Sequence, residues 1–214
     1  MGYSIITAFG WGSSLFHGQA LISRARARAA KSIWLMALLL LPLPALASEA
    51  ADAWQALREG RALLLMRHAT APGTGDPAGF RLGQCATQRN LNEQGRAEAR
   101  RWGELLARQG IEQPRLLSSR WCRALDTASG MQRGPVQAFA VLDSFFGQPE
   151  DGAAQTAELI RAINALADGA PLVLVSHQVN ITALTGIFPA SGEGLILPLP
   201  LRPQTKPLAR VRAP

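Results

Sequence analysis

Histidine, cysteine and tyrosine are scarce in this chain of 214 residues, which has three histidines, two cysteines and one tyrosine. The cysteines form no C-x-x-C pair and the histidines no H-x₃-H pair, so the local ligand spacing of a structural zinc site is missing. After residue 47 there is no run of Lys and Arg and no alternation of basic with aromatic residues. Nucleic-acid binding therefore has little support. For the two cysteines, zinc binding is a weaker explanation than a disulfide bond.

Acidic residues are absent from the first 47 residues. A basic stretch from Arg24 to Lys31 is followed by the apolar run Ile33–Leu41 and the small-residue site Ala45–Ala47, which is the order of a secretory signal. The apolar run is short for a membrane span, and a retained anchor is the alternative. We expect residues 1–47 to be an N-terminal extension with a signal peptide, and the protein to be periplasmic or secreted.

Residues 48–214 are enough chain for one domain with one hydrophobic core. They carry eighteen Lys and Arg against fifteen Asp and Glu, a net charge of +3, so much of the whole-chain charge of +7 lies in the N-terminal extension. A strongly basic surface is therefore not expected of the domain.

Short apolar runs alternate with segments of helical periodicity along the domain. The runs Ala62–Met66, Arg115–Ser118 and Leu172–Val175 have the length of buried parallel strands. Gly194–Leu199 and Leu208–Val211 are expected to pair at a sheet edge. Helical patterns separate the strands, over Ala51–Arg58, from Asn92 to Gly110, and over Arg120–Gly130, Ala153–Asp168 and Asn180–Leu184. This alternation predicts a three-layer α/β/α sandwich with a mainly parallel central sheet.

The two histidines of the domain each follow one of these apolar runs. His68 and His177 would lie at carboxyl ends of strands, where open α/β sheets bind ligands. Arg67 and Arg120 also lie at strand ends. Two guanidiniums and two imidazoles together suit a phosphoryl group, because Arg matches its oxygens and a neutral imidazole can attack phosphorus. The pattern predicts phosphoryl transfer without a metal.

A long loop from Ala69 to about Leu91, rich in Gly, Pro and Asp, follows the first histidine. Loops of this length are usually functional lids or disordered segments. Cys85 lies in this loop and Cys122 lies just past Arg120, so both segments should approach the same pocket. In an oxidising compartment we expect the two cysteines to be joined, with the bridge pinning the loop over the pocket.

Four ordered segments resemble the sequence blocks of the histidine phosphatase (phosphoglycerate mutase-like) superfamily, in its small exported bacterial branch. They are Leu65–Ala69 (LMRHA), Arg89–Gly95 (RNLNEQG), Ser118–Ala128 (SSRWCRALDTA) and Val173–His177 (VLVSH). The resemblance spans about residues 63–194. It implies that His68 is the phosphorylated nucleophile and that Arg67, Arg120 and His177 bind the phosphoryl group.

The proton donor of that superfamily is usually a Glu or Asp after the third strand. Leu142–Gly147 keeps its acid-to-glycine spacing, so the resemblance implies that Asp143 is the catalytic acid, with Glu150 or Asp151 as substitutes. The segment Gln178–Asn180 departs from the glycines of many relatives and changes the pocket wall. Further arginines, at positions Arg81, Arg89 and Arg123, are outer contacts or, more often in such loops, ordinary surface cations.

The expected function is an exported, metal-independent phosphomonoester hydrolase that uses no cofactor and forms a phosphohistidine. Its substrate would be a small phosphorylated molecule. The export signal suggests an envelope sugar phosphate, such as lipopolysaccharide-core phosphate, at the membrane surface. Two alternatives stand beside it: a phosphohistidine-protein phosphatase, and a non-catalytic phosphate-binding module that would tolerate loss of His68.

Overall fold

The computed structural model describes residues 45–166 and 169–213. The predicted signal peptide falls almost wholly in residues 1–44, outside this part, and the cleavage site predicted after Ala47 lies in the first turn of the first described helix. Within the described ranges, no helix is both long and apolar enough to cross a bilayer.

Within residues 45–166 and 169–213, the main elements are five helices and six strands. The helices are α1 Ala45–Arg58, α2 Glu93–Arg108, α3 Cys122–Gly130, α4 Gly152–Leu166 and α5 Gln178–Thr185; the strands are β1 Ala62–Arg67, β2 Arg115–Ser118, β3 Val136–Ala138, β4 Leu172–Ser176, β5 Glu193–Pro198 and β6 Ala209–Arg212. Short 3₁₀ turns lie at Cys85–Thr87, Ala140–Leu142 and Pro149–Asp151.

The strands form one sheet in the order β3-β2-β4-β1-β5-β6. Strands β3, β2, β4 and β1 run parallel, and β5 and β6 are antiparallel additions at one edge. The predicted three-layer α/β/α architecture with a mainly parallel sheet is confirmed, as is the pairing of the last two strands.

Each face of the sheet buries a separate apolar layer, because successive side chains of a strand point to opposite faces. Leu64 and Met66 of β1 pack in a cluster with Trp54 of α1, Trp102 of α2 and Ala124 of α3. On the other face, side chains of β1, β2, β4 and β5 pack against α4 and α5, with the cluster formed by Leu63, Leu65, Leu117, Leu159, Ile163, Leu174, Ile181, Leu184 and Leu195.

Parallel pairing places three strand ends side by side. β4 lies between β1 and β2, with Arg67 opposite Ser176 and Ser118 opposite Val175. The residues that follow continue the pairing, because the His68 backbone N–H donates to the Ser176 carbonyl at 3.0 Å. The side chains after β1, β2 and β4 therefore share one edge of the sheet.

Candidate active site

The two predicted histidines meet at this edge. His68 follows β1 and His177 follows β4, and their ring centroids are 5.4 Å apart in an edge-to-face arrangement. Both side chains are buried, at 2% and 3% exposed. The strand-end pattern thus predicted their meeting correctly.

Hydrogen bonds orient the ring of His68. Its Nδ1 lies 2.8 Å from the carbonyl oxygen of Ala69, which can only accept, so Nδ1 carries the proton. Nε2 then holds the lone pair, and it accepts from Arg123 Nε at 3.2 Å. Burial, together with the charges of nearby arginines, lowers the pKa of His68 to about 3. His68 is therefore a neutral imidazole with its nucleophilic nitrogen beside a guanidinium.

Arg123 is held in place by Asp76, a residue of the loop between β1 and α2. The carboxylate receives Arg123 Nη1 at 2.7 Å and Nη2 at 3.1 Å, and also Trp121 Nε1 at 3.0 Å. Burial works to raise the pKa of Asp76, but the hydrogen bonds and charge of Arg123 outweigh it and lower that pKa. Because Arg123 is 3% exposed and ion-paired, its position next to His68 is well determined.

His177 offers one ring nitrogen to a ligand. Its Nε2 hydrogen-bonds with Ser119 Oγ at 2.7 Å, whereas its Nδ1 is buried with no hydrogen-bond partner among the described residues. Burial, and next the neighbouring His68, lower the pKa of His177 well below its usual value. A buried polar atom without a partner is costly unless a ligand satisfies it.

Arg67 shows the same feature. Its Nη1 donates to the carbonyl of Pro189 at 3.1 Å, which anchors the side chain, while its buried Nε has no partner within the described part of the chain. A guanidinium held at one corner and open at another is suited to bind an oxyanion.

These side chains surround a pocket with a volume of about 320 Å³, called here the His68 pocket. Its lining consists of Arg67, His68, Gly73, Thr74, Gly75, Asp76, Arg89, Arg123, Ser144, Phe146, His177, Gln178, Val179 and Phe188. Three arginines lie among them, so the pocket favours an anionic ligand. The residues of the departing segment that lie in the wall are Gln178 and Val179; Asn180 instead donates to the Asp143 carbonyl.

The loop of residues 69–91, called here the lid loop, contributes five of these lining residues. Arg89 organises it, with Nε donating to the Gly75 carbonyl at 2.7 Å, Nη1 to the Ala71 carbonyl, and its backbone N–H to Asp76. The loop is thus an ordered wall of the pocket, and Arg89 is one of its structural supports as well as a lining residue.

The predicted disulfide Cys85–Cys122 is present, with the Cα atoms 5.6 Å apart. It joins the lid loop to the first residue of α3, immediately before Arg123. The bridge consumes both cysteines, so neither is a thiolate for zinc, and among the described residues no three His, Cys, Asp or Glu cluster as a metal site would require.

Arg120 and Asp143 are not brought to the pocket lining. Arg120 Nε and Nη2 bind Asp143 Oδ2 at 2.7 and 2.6 Å, and the Arg120 side chain is 48% exposed. Asp143 Oδ1 accepts from the Arg120 backbone N–H at 2.8 Å and lies 3.2 Å from Ser119 Oγ. Both carboxylate oxygens of Asp143 are taken up by Arg120 outside the pocket lining, which does not suit a donor of a proton to a bound substrate. The two residues pair with each other beside the site.

The other predicted residues divide in the same way. Glu150 and Asp151 lie exposed on a 3₁₀ turn and do not line the His68 pocket, and neither does Arg81. Arg123 occupies the place predicted for Arg120, and the contribution of Asp76 was missed. Arg123 lies about one helical turn after Arg120 in the same SSRWCRALDTA segment, and its place in that segment was the signal that could have identified it. Asp76 lies in a loop, and no sequence pattern there indicates its partner.

A family model matches residues 63–145, and its description is histidine phosphatase superfamily, branch 1. Among solved structures, the protein histidine phosphatase SixA complexed with tungstate is similar at 18% identity, covering 71% of this chain and 97% of that chain, with a TM-score of 0.51. A putative phosphohistidine phosphatase SixA from Agrobacterium tumefaciens is 21% identical over 71% of this chain and 98% of its own, with a TM-score of 0.49.

A phosphoserine phosphatase variant from Entamoeba histolytica, solved with phosphoserine, is 16% identical over 72% of this chain and 95% of that chain, with a TM-score of 0.48. No curated protein sequence matches this chain significantly. Identities at this level speak for the fold, and the family model speaks for the sequence blocks. The histidine phosphatase model thus matches the part of the chain that contains Arg67, His68 and Arg123, and the likeness to SixA agrees with the fold that brings His177 to the same pocket.

Proposed function

We propose that this protein is an exported, metal-independent phosphomonoester hydrolase that forms a phosphohistidine on Nε2 of His68. The observation that carries the proposal is the neutral, buried His68 ring, whose Nε2 faces Arg123. In the same pocket, Arg67 Nε and His177 Nδ1 have no hydrogen-bond partner among the residues that the structure describes. A non-catalytic anion-binding module would need the arginines but not an oriented, neutral imidazole.

The proposed reaction has two displacements at phosphorus. Arg67, Arg123 and His177 bind the phosphoryl oxygens, and His68 Nε2 attacks phosphorus as the P–O bond to the leaving group breaks. The leaving oxygen departs with the electron pair of that bond and takes a proton from solvent. Water then attacks phosphorus and the P–N bond breaks, which releases inorganic phosphate, restores the neutral ring and returns a proton to solvent. The guanidiniums balance the charge that spreads over the phosphoryl oxygens in both transition states.

A second candidate function, dephosphorylation of phosphohistidine on proteins, is favoured by the state of the carboxylates. Asp76 in the pocket lining and Asp143 beside it are both bound to arginines, so neither is poised to protonate a basic alkoxide. An alkoxide leaving group needs general acid catalysis more than a weakly basic leaving group does. The P–N bond of phosphohistidine and the ester bond of an aryl phosphate both meet this condition better than an alkyl ester.

Export is proposed from the signal-like N-terminus, and it is supported by the disulfide, since such bridges persist in oxidising compartments. Envelope sugar phosphates, such as those of the lipopolysaccharide core, are the first natural substrates to test in that compartment. Mass spectrometry of the protein from the periplasmic fraction should give an N-terminus at Ser48. A full-length protein confined to the cytoplasm would contradict export.

The enzymatic proposal is tested with the wild type and His68→Asn on a panel of sugar phosphates, nucleotides, aryl phosphates and phosphohistidine protein, with and without chelator. We expect His68-dependent turnover that chelator leaves unchanged. Asn keeps an amide donor for the Ala69 carbonyl, so loss of activity in this variant would not reflect loss of that contact. Equal activity of the two proteins would contradict the mechanism, and selective turnover of phosphohistidine protein would establish the second candidate.

A further inference from the structure

Two phenylalanine side chains at the His68 pocket are largely exposed. Phe146 is 55% exposed and Phe188 is 69% exposed, and both line the pocket. In the described part of the chain the other exposed large apolar side chains are Leu82 and Leu208, neither of which lines it. Exposed apolar side chains gathered at one pocket mark a binding surface more often than a random surface position does.

Both phenylalanines are positioned by segments that also build the phosphate end of the pocket. Phe188 directly precedes Pro189, whose carbonyl anchors Arg67. Phe146 lies against Gly75 of the lid loop: a Cβ atom added to Gly75 would be 3.7 Å from Cε1 of Phe146. The two rings are therefore held relative to the phosphoryl-binding groups by short stretches of chain.

The pocket has more room than a phosphoryl group needs. Its volume of about 320 Å³ equals roughly ten water molecules of liquid, whereas a phosphoryl group adds four heavy atoms. The cations Arg67 and Arg123 and the two imidazoles form one part of the lining, and Phe146, Val179 and Phe188 form an apolar part. The room beyond the phosphoryl group is thus lined partly by these three apolar side chains.

We propose that Phe146 and Phe188 form an apolar clamp for the leaving group, and that the enzyme prefers phosphomonoesters whose phosphate is attached to an apolar or aromatic group. This inference rests on the proposed hydrolase function and names its substrate class. The charged end of such a substrate meets the arginines while its apolar end covers the two rings. The clamp therefore gives these esters a higher kcat/KM than small hydroxylated phosphates whose leaving groups are equally basic.

A series of para-alkylphenyl phosphates from methyl to hexyl tests the clamp, because apolar area grows along it while the basicity of the leaving phenolate stays nearly constant. Burial of a methylene predicts a rise in kcat/KM of about two- to four-fold per added carbon in the wild type. Phe146→Ala and Phe188→Ala should each flatten this dependence, and Phe146→Leu and Phe188→Leu should largely restore it. Leu208→Ala, which removes an exposed apolar side chain away from the pocket, is the matched control and should keep the wild-type slope.

His68→Asn measured on the same series separates the two levels of the proposal. A flat dependence on chain length with turnover that still requires His68 would overturn the clamp and leave the hydrolase intact. Turnover that persists in His68→Asn, or no turnover of any ester by the wild type, would overturn both. If the alanine variants lose activity only toward a phosphoprotein, the phenylalanines dock a protein and the clamp is refuted.

Discussion

The neutral state of His68 predicts a specific loss of stability in mild acid. Burial, with the charges of Arg123 and Arg67 adding to it, lowers the pKa of His68 from 6.5 to about 3 in the folded protein. Between these values the unfolded chain binds a proton that the folded chain excludes. The contribution of His68 to the free energy of unfolding therefore does not vary with pH above about pH 6.5, and it decreases as the pH falls from 6.5 towards 3.

The size of the effect follows from the two pKa values. Each pH unit between them costs about 1.4 kcal/mol, so His68 alone should lower the free energy of unfolding by about 2 kcal/mol between pH 7.5 and pH 5. His68→Asn, which cannot titrate, should lose about 2 kcal/mol less than the wild type over the same interval. Any difference in stability between the two proteins at pH 7.5 does not enter this comparison.

The assay is urea unfolding at a series of pH values in phosphate-free buffer, with the disulfide intact. The quantity compared is the change of the free energy of unfolding with pH, in which carboxylates common to both proteins cancel. His177 stays buried in both proteins, and because burial is the larger cause of its lowered pKa, most of its contribution cancels as well. Identical pH dependences for the wild type and His68→Asn would refute the neutral, buried imidazole on which the proposed nucleophile depends.

Three further changes test separate parts of the structure. Arg123→Gln should lower kcat/KM by about 10²- to 10³-fold, and Arg120→Gln only a few-fold in steady-state kinetics, because the buried Arg123 contacts His68 and Arg120 does not line the pocket; the reverse order would restore the sequence-based prediction. Replacing Cys85 and Cys122 together with Ser should lower the free energy of unfolding by about 4 kcal/mol in urea titration, from the loop that the bridge closes, and an unchanged midpoint would contradict this. Gly103→Ala places a methyl group into a backbone carbonyl where α2 packs on the end of α3, so thermal unfolding should shift down by several degrees; no shift would contradict the close approach of the two helices.

The strand ends were predictable from the sequence because their signal is local. A short apolar run before His68 and another before His177 indicated parallel strands, and parallel strands bring their carboxyl ends to one edge. The helical pattern expected from Asn92 onward is also confirmed, and the Asn92 side chain caps that helix by accepting from the Gly95 backbone N–H. Periodicity and capping depend on neighbours within a few residues, which a single sequence contains.

The choice among polar residues was not predictable in the same way. Arg120 and Arg123 are three residues apart, and which of them turns inward depends on where α3 begins and on the partner each finds. Asp76 meets Arg123 across 47 residues of chain, and Asp143 meets Arg120 across 23. Such pairings are set by tertiary contacts, and they leave Asp143 paired with Arg120 outside the pocket lining, where the resemblance implied the catalytic acid.

The most direct test of the account is to trap the covalent intermediate. The wild type is mixed for milliseconds with a ³²P-labelled aryl phosphate, quenched with alkali, in which phosphohistidine survives, and the labelled peptide is mapped. The account predicts one phosphorylated residue, His68 modified at Nε2, with label lost on acid treatment and absent from His68→Asn. Label on His177 or on any other residue, or turnover with no labelled protein at any mixing time, would contradict it.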